Sequence, residues 1–303
     1  MSLRLRRSEL STPGSSPKMI EKASKSAADL VFLDLEDAVA PAQKVAARST
    51  IVEGLRDLDW GKKVRAVRVN GAHTEWAHED VITVVEGAGS CIDLLILPKV
   101  KAPRDVWFFD TLLDQLEKRL RLPNRIGLEV LIEETEALSR VEEIAGCSPR
   151  LQALILGVGD LSASQGVRAS HIGVRGTGYP GDLWHFARAR LVVAARANGL
   201  DAIDGPFANF RDAEGYRTEA TWSSTLGFVG KWAIHPDQIA IANDVYAPTE
   251  DEITTARTMI DAYRASESSG EGARGVGGTM IDAATARIFE AVLERARLTG
   301  KIS

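Results

Sequence analysis

Short apolar runs in this sequence end, again and again, in a charged side chain. Glu36 and Asp37 follow LVFLDL, Arg68 and Asn70 close VRAVRVN, and Lys99 follows LLILP. Further on, Glu133 follows IGLEVLI, Asp160 follows LQALILGVG, Asp204 sits in LDAIDGPF and His235 follows FVGKWAI. If those runs are neighbouring parallel strands, the charged residues share one edge of a sheet, the edge where α/β folds bind ligands. Acids converging there, Glu133 and Asp160 above all, supply the oxygen ligands that a hard cation such as Mg²⁺ prefers, with Mn²⁺ as the alternative ion. Arg68 could hold a substrate carboxylate through its planar fork. A metal that chelates such a carboxylate and the oxygen next to it makes a neighbouring carbonyl electrophilic, or eases loss of a hydroxyl proton. That is the equipment of aldol-type carbon–carbon chemistry. Taken singly, each acid could equally be a helix-capping or solvated loop residue. Only the shared edge argues for more.

Competing chemistries fit less well. His73 and His78 lie five apart, not in the H-E-x-x-H spacing of a zinc helix. His235 is open to either a structural role or a ligand contact. No G-x-S-x-G elbow is present, which argues against a serine hydrolase. Lys99 at a strand end could form a Schiff base, but the surrounding acids favour a metal. Cys91 and Cys147 have no metal-type spacing and make no disulfide framework, which fits a reducing compartment.

The elements that must position these residues follow a regular rhythm. In the stretch 125–160, apolar residues run from Ile126 to Ile132, broken only by Glu129. Leu138, Val141, Ile144 and Ala145 then mark one helical face, and Leu151 to Leu156 forms a second apolar run. Strand, helix and strand of this kind make a βαβ unit with parallel strands. Strands are expected near residues 8, 32, 66, 96, 129, 153, 202 and 231, nearly all followed by a helix. The first of these helices spans Pro17 to Ala27, capped by Ser15 or Ser16, with Lys18 and Lys22 four apart on one face. Eight βα units predict a TIM (β/α)8 barrel over residues 1–247. No G-x-G-x-x-G follows any strand, which disfavours a doubly wound nucleotide-binding sheet. After Asp160 the pattern dissolves into a glycine-rich irregular run, of a length usually tied to function. Residues 248–303 read as a helical extension. It begins with a helix over 250–264, continues as a Ser/Gly-rich flexible linker over 265–278, and ends in a helix from Thr279 to Arg297, a candidate lid or exchanged segment.

Bulk properties narrow the field further. With 303 residues, 45% of them hydrophobic, the chain can bury a large core. A net charge of −5 gives no global reason to bind nucleic acid or an acidic membrane. The basic N-terminus lacks the apolar stretch of a secretory signal, and no run is long enough to span a bilayer. A cytoplasmic setting is expected.

At this point the sequence becomes recognisable. RRSELSTPG, DLVFLDLEDAV followed by Lys44, Ala47 and Arg48, VRVN, LPKV, IGLEVLIEE, LILGVGDLSAS, GYPGDLWH, AIDGPFANF, GKWAIHPDQ and IDAATAR together resemble the malyl-CoA lyase branch of the citrate lyase β-chain (HpcH/HpaI aldolase-like) family, nearly end to end. The resemblance implies a Mg²⁺-dependent TIM barrel that splits a 3-hydroxyacyl-CoA. In malyl-CoA lyases the products are acetyl-CoA, or propionyl-CoA from β-methylmalyl-CoA, and glyoxylate. It makes Glu133 and Asp160 the metal ligands, Arg68 the grip on the glyoxylate-derived carboxylate, and Glu36 and Asp37 the residues that order metal-bound water. Asp282, in IDAATAR, would reach a neighbouring subunit's site and move the proton at the acetyl methyl carbon. Desolvation under a closed lid would then raise its pKa. Lys18 and Lys22 would meet CoA phosphates and Pro236 would border the adenine. Trimers or hexamers are implied. Relatives of other kinds leave open a citramalyl-CoA or citryl-CoA lyase, a malyl-CoA thioesterase, or, more distantly, a non-catalytic acyl-CoA binder.

Overall fold

Apolar runs become strands here because they are buried on both faces. Every residue of Leu30–Asp34, Leu94–Leu97 and Gly127–Ile132 is buried, the signature of a parallel sheet covered by helices. The computed structural model, which describes residues 4–168, 181–268 and 273–302, contains eight such strands: β1 (Ser8–Pro13), β2 (Leu30–Asp34), β3 (Val64–Arg68), β4 (Leu94–Leu97), β5 (Gly127–Ile132), β6 (Leu151–Leu156), β7 (Asp201–Asp204) and β8 (Gly230–Ala233). They pair in parallel and in chain order, and β8 pairs back onto β1 to close the barrel. This is the predicted (β/α)8 architecture. The helices between strands are α1 (Pro17–Ser24), α2 (Lys44–Asp57), α3 (Ala77–Ala88), α4 (Pro103–Leu120), α5 (Thr135–Ser139), α6 (Val141–Ala145), α7 (Val158–Gln165), α8 (His185–Ala197) and α9 (Ala213–Leu226), with α10 (Asp237–Val245) after β8. Ser16 caps α1, its hydroxyl accepting from the Met19 N–H.

Two local readings need correction. The amphipathic stretch after Glu133 is two short helices, α5 and α6, because Arg140 leaves helical geometry between them. The run after Asp160 read as irregular begins as helix α7, which continues to Gln165 and is stopped by Gly166 in the left-handed conformation. Residues 169–180 of that run lie outside the described residues.

Inside the barrel, Phe32, Ala66, Ile96, Leu131, Ile155 and Trp232 belong to one buried cluster. Glu129, the break in its apolar run, is answered by Arg6, which pairs with it and with Asp201 (3.3 Å) and donates to Gln152 Oε1 (2.7 Å). Glu9 is also fully buried and accepts from Trp232 Nε1 at 2.9 Å. Burial pushes the Glu9 carboxyl up to about 7, against the opposing pull of Arg6. An acid raised in the folded state is most stabilising when protonated. Its contribution is full below the usual carboxylate range and is lost as pH rises through about 7. Glu9→Gln, which keeps an acceptor for Trp232, should therefore stabilise the protein above pH 7 by on the order of 3 kcal/mol and have little effect near pH 4. Thermal melts of both proteins across that range check it, and a pH-independent difference would refute it.

The chain divides into two compact units, Arg6–Asp244 and the segment from Val245 onward. In the second, helix α11 (Glu250–Ser268) and helix α12 (Ala283–Leu298) bury Ile253, Ala256, Ile260, Leu293 and Ala296 together. The stretch read as a flexible linker is helical up to Ser268, and residues 269–272 lie outside the described residues. Beyond them, strands β9 (Arg274–Val276) and β10 (Thr279–Ile281) form an antiparallel hairpin. Its two-residue turn, Gly277-Gly278, has φ of 55° and 84°, the pair of positive angles that favours glycine in tight hairpins. The last helix accordingly starts at Ala283, with Asp282 as its N-cap. Among the described residues no helix is long and apolar enough to cross a membrane.

Candidate active site

Asp34, the last residue of β2, organises the first part of the site. Its carboxylate accepts the backbone N–H groups of Glu36 (2.8 Å) and Ala38 (3.0 Å), folding the following loop around itself. The same carboxylate receives Arg68 Nε (2.7 Å) and Nη2 (2.5 Å) from the end of β3. Arg68 Nη1 then meets Glu36 Oε2 at 3.0 Å. The guanidinium lies 5.4 Å from the Trp232 ring centre and 5.8 Å from that of Phe32, an aromatic floor. Burial is the largest single influence and works against its charge, but Asp34, Glu36 and Glu133 together outweigh it and the pKa is raised. Arg68 is thus fixed by one edge, with Nη1 shared with Glu36.

The loop bearing Glu36 and Asp37 is pinned from behind. Lys44 Nζ donates to the carbonyls of Leu35 (2.8 Å) and Glu36 (2.7 Å) and to Asn70 Oδ1 (2.8 Å). Asn70 Nδ2 donates to Asp80 (2.6 Å), which also receives Arg48 Nε (2.8 Å). Lys44 and Arg48 therefore act as scaffold, and Asn70 belongs with them rather than with the groups facing a ligand.

Lys99 and Glu133 complete the cluster. Lys99, just after β4, has φ 53°, and its backbone N–H donates to Glu133 Oε1 at 2.8 Å. Its ammonium stands 2.6 Å from Asp160 Oδ2, 3.7 Å from Glu133 Oε1, 3.8 Å from Glu36 Oε1 and 3.9 Å from Asp37 Oδ2. Glu133 fits beside β6 because residue 157 is glycine, where a Cβ would come within 2.5 Å of Glu133 Cβ. Asp160 lies in the first turn of α7. The cluster is graded in exposure, with the Glu133 side chain 2% exposed, that of Asp160 43% and that of Asp37 63%, so it opens to solvent where Asp160 and Asp37 lie. Burial pushes the Glu133 carboxyl up to about 8 despite Lys99, and Glu36 up to about 7 despite Arg68. Burial opposes the Lys99 charge too, yet the acids, Glu133 foremost, raise its pKa. A lysine held this firmly protonated is a poor Schiff-base nucleophile.

These groups suit a hard divalent cation. All the acidic donors are oxygens, and a positive charge already sits among them. Among the described residues no three His, Cys, Asp or Glu side chains form a ready-made metal cage. An ion held by Glu133 and Asp160 would therefore complete its shell from water and substrate, as Mg²⁺ commonly does.

Other predicted residues lie elsewhere. Asp204 is not displayed at the edge. It is completely buried, paired with Lys231 (2.8 Å) and Arg188 (3.2 Å), with Glu219 also on Lys231 (2.7 Å). His235 is partly exposed and stacks on Phe210 at 5.0 Å, with Pro236 beside it at the start of the turn into α10. Lys18 and Lys22 are exposed on α1. Lys18 lines a groove of about 380 Å³ between α1 and α2 whose other charged residues are Glu21, Glu53 and Asp57, acidic company for a phosphate contact. Asp282 belongs to the second unit. It caps α12, accepting from the Thr285 N–H (2.8 Å) and hydroxyl (2.9 Å), and the Thr285 backbone bond holds its carboxyl below the usual range. This is the reverse of the rise expected for a proton carrier, because capping favours the charged form.

The family described as HpcH/HpaI aldolase/citrate lyase matches residues 7–236. The chain belongs to this family. The match runs from β1 through β8 and takes in Arg68, Lys99 and the four acids, leaving the tail outside. The L-malyl-CoA/β-methylmalyl-CoA lyase of Cereibacter sphaeroides is 42% identical, over 96% of this chain and 95% of its own. A (3S)-malyl-CoA thioesterase of the same species is 34% identical, over 91% and 89%. Among solved structures, the CitE protein of Mycobacterium tuberculosis in complex with magnesium, acetoacetate and coenzyme A is 29% identical. The similarity covers 96% of this chain and 97% of that one, with a TM-score of 0.77. Within the HpcH/HpaI aldolase/citrate lyase family, then, this chain resembles the lyase relative more than the thioesterase, over nearly its whole length.

Proposed function

We infer that this protein is a carbon–carbon lyase that reversibly cleaves malyl-CoA or β-methylmalyl-CoA to glyoxylate and acetyl-CoA or propionyl-CoA. Mg²⁺ is its cofactor, with Mn²⁺ as the alternative ion. The observation that carries the reading is the convergence of Glu133, Asp160, Glu36 and Asp37 on the Lys99 ammonium, beside the Arg68 guanidinium that pairs with Glu36. It occurs in a chain 42% identical to a lyase of those substrates. The bound ion would polarise the oxygens of the glyoxylate portion.

Glu133 and Asp160 would hold the ion, and Glu36 and Asp37 would orient water beside it. Arg68 Nη1 orients the glyoxylate-derived carboxylate. On cleavage the 3-hydroxyl gives its proton to solvent water and the C2–C3 bond breaks. The electron pair passes to the acyl-CoA enolate, which Asp282, after taking up a proton from solvent, protonates at carbon. Lys18 and Lys22 meet CoA phosphates, and Pro236 borders the adenine. The working form is a homotrimer or homohexamer in the cytoplasm, consistent with free Cys91 and Cys147. Residues 1–247 form the catalytic barrel and the tail supplies the lid.

The test is an assay of purified protein with malyl-CoA, β-methylmalyl-CoA and citramalyl-CoA, with and without Mg²⁺. Mg²⁺-dependent glyoxylate release in step with acetyl-CoA or propionyl-CoA is expected. Malate and free CoA without glyoxylate would make it a thioesterase. Pyruvate from citramalyl-CoA alone would move the substrate, and binding without turnover would refute catalysis.

A further inference from the structure

The Lys99 ammonium lies between the carboxylates of Glu133 and Asp160. It is 3.7 Å from the first and 2.6 Å from the second, with Glu36 and Asp37 inside 4 Å. The residue is bound there twice, because its backbone N–H also donates to Glu133 Oε1. Its φ of 53° is the left-handed conformation that residues with a Cβ disfavour, by about 1 kcal/mol or more. Lysine gains nothing from that backbone except the placement it gives. Removing the ammonium would leave Arg68, on Glu36, as the remaining opposing charge for these carboxylates, with Glu133 buried beside Asp160, a costly arrangement.

We propose that Lys99 is a placeholder cation, which neutralises the acid cluster in the metal-free protein and which a divalent ion must displace to reach Glu133 and Asp160. The inference rests on the reading of those two residues as ligands. Metal affinity is then the result of a competition: the ion must overcome a resident charge, and that same charge holds the carboxylates together without the ion.

The test is calorimetric titration of the full-length protein with MgCl2 alone, at fixed pH, alongside thermal melts of the metal-free forms. Lys99→Met should bind Mg²⁺ about tenfold or more tighter than the wild type, a coupling of ordinary size. It should also melt lower without metal and gain more from added Mg²⁺. If Lys99→Met folds only when Mg²⁺ is supplied, that supports the proposal equally. Lys99→Arg keeps the charge and should bind Mg²⁺ with near wild-type affinity. Wild-type or weaker affinity in Lys99→Met, or tight binding in Lys99→Arg, would overturn it. Glu133→Gln separates the two readings. If the wild type shows no Mg²⁺ binding that this substitution abolishes, the ligand assignment itself has failed.

Discussion

Glu133→Gln should remove Mg²⁺-dependent turnover, by about 10³-fold or more, without unfolding the protein. The size follows from losing a metal contribution worth several kcal/mol at the reacting oxygens, each 1.36 kcal/mol being tenfold in rate. Survival of the fold follows from the cost of ionising the native residue. Its carboxyl is raised to about 8 by burial, so its stabilising contribution is full below the ordinary carboxylate range and is lost as pH rises through about 8. At pH 7 this amounts to about 3 kcal/mol that a neutral amide does not incur. Glutamine also retains an Oε1 to accept from the Lys99 N–H. Metal-free Glu133→Gln should therefore melt above the metal-free wild type at pH 7, and added Mg²⁺ should raise the melting temperature of the wild type only. Turnover within tenfold of wild type, still responsive to Mg²⁺, would overturn the assignment of Glu133 as a ligand.

How far the sequence foretold this cluster depends on backbone direction. The barrel was legible because buried parallel strands must be apolar on both faces, and eight such runs alternate with helices. Glu133, Asp160, Glu36, Asp37 and Arg68 were legible as charges placed at strand ends. Asp204 has the same sequence signature yet is buried against Lys231 and Arg188. Successive strand residues point to opposite faces, so one position decides between ligand and scaffold. Asp34 lies within an apolar run in the sequence, although it is the residue that fixes Arg68. An unexplained acid inside LVFLDL was the signal available. Lys99 was legible as a charge at the same edge, but not its central place among the acids, which depends on a left-handed backbone that a lysine does not announce. In the tail, a Gly/Ser-rich composition suggested a linker, while the Gly277-Gly278 pair between Val276 and Thr279 carried the hairpin.

Asp282→Asn should cost about 10²- to 10⁴-fold in turnover, the range for a positioned proton carrier, while leaving the tail folded. Asparagine caps a helix about as well as aspartate, so its side-chain oxygen can still accept from Thr285 and the melting of the protein should be unchanged. That separates chemistry from structure at a residue that caps α12 and is proposed to move the proton. The carboxylate in its capped state is a weak base, held low first by the Thr285 N–H and then by the hydroxyl. To take a proton from carbon it must exchange those donors for a drier setting, which raises its pKa. Solvent deuterium exchange into the acetyl-CoA methyl group reports this step alone. It should vanish in Asp282→Asn even though Mg²⁺ binding, measured by calorimetry, persists. Near-normal exchange and turnover would remove Asp282 from the mechanism. If the residue acts on a neighbouring subunit's site, mixing inactive Asp282→Asn with inactive Glu133→Gln under conditions that exchange subunits should restore a fraction of the activity. Each mixed pair would join an intact metal site to an intact carboxylate. If no activity returns on mixing, Asp282 must act within its own chain.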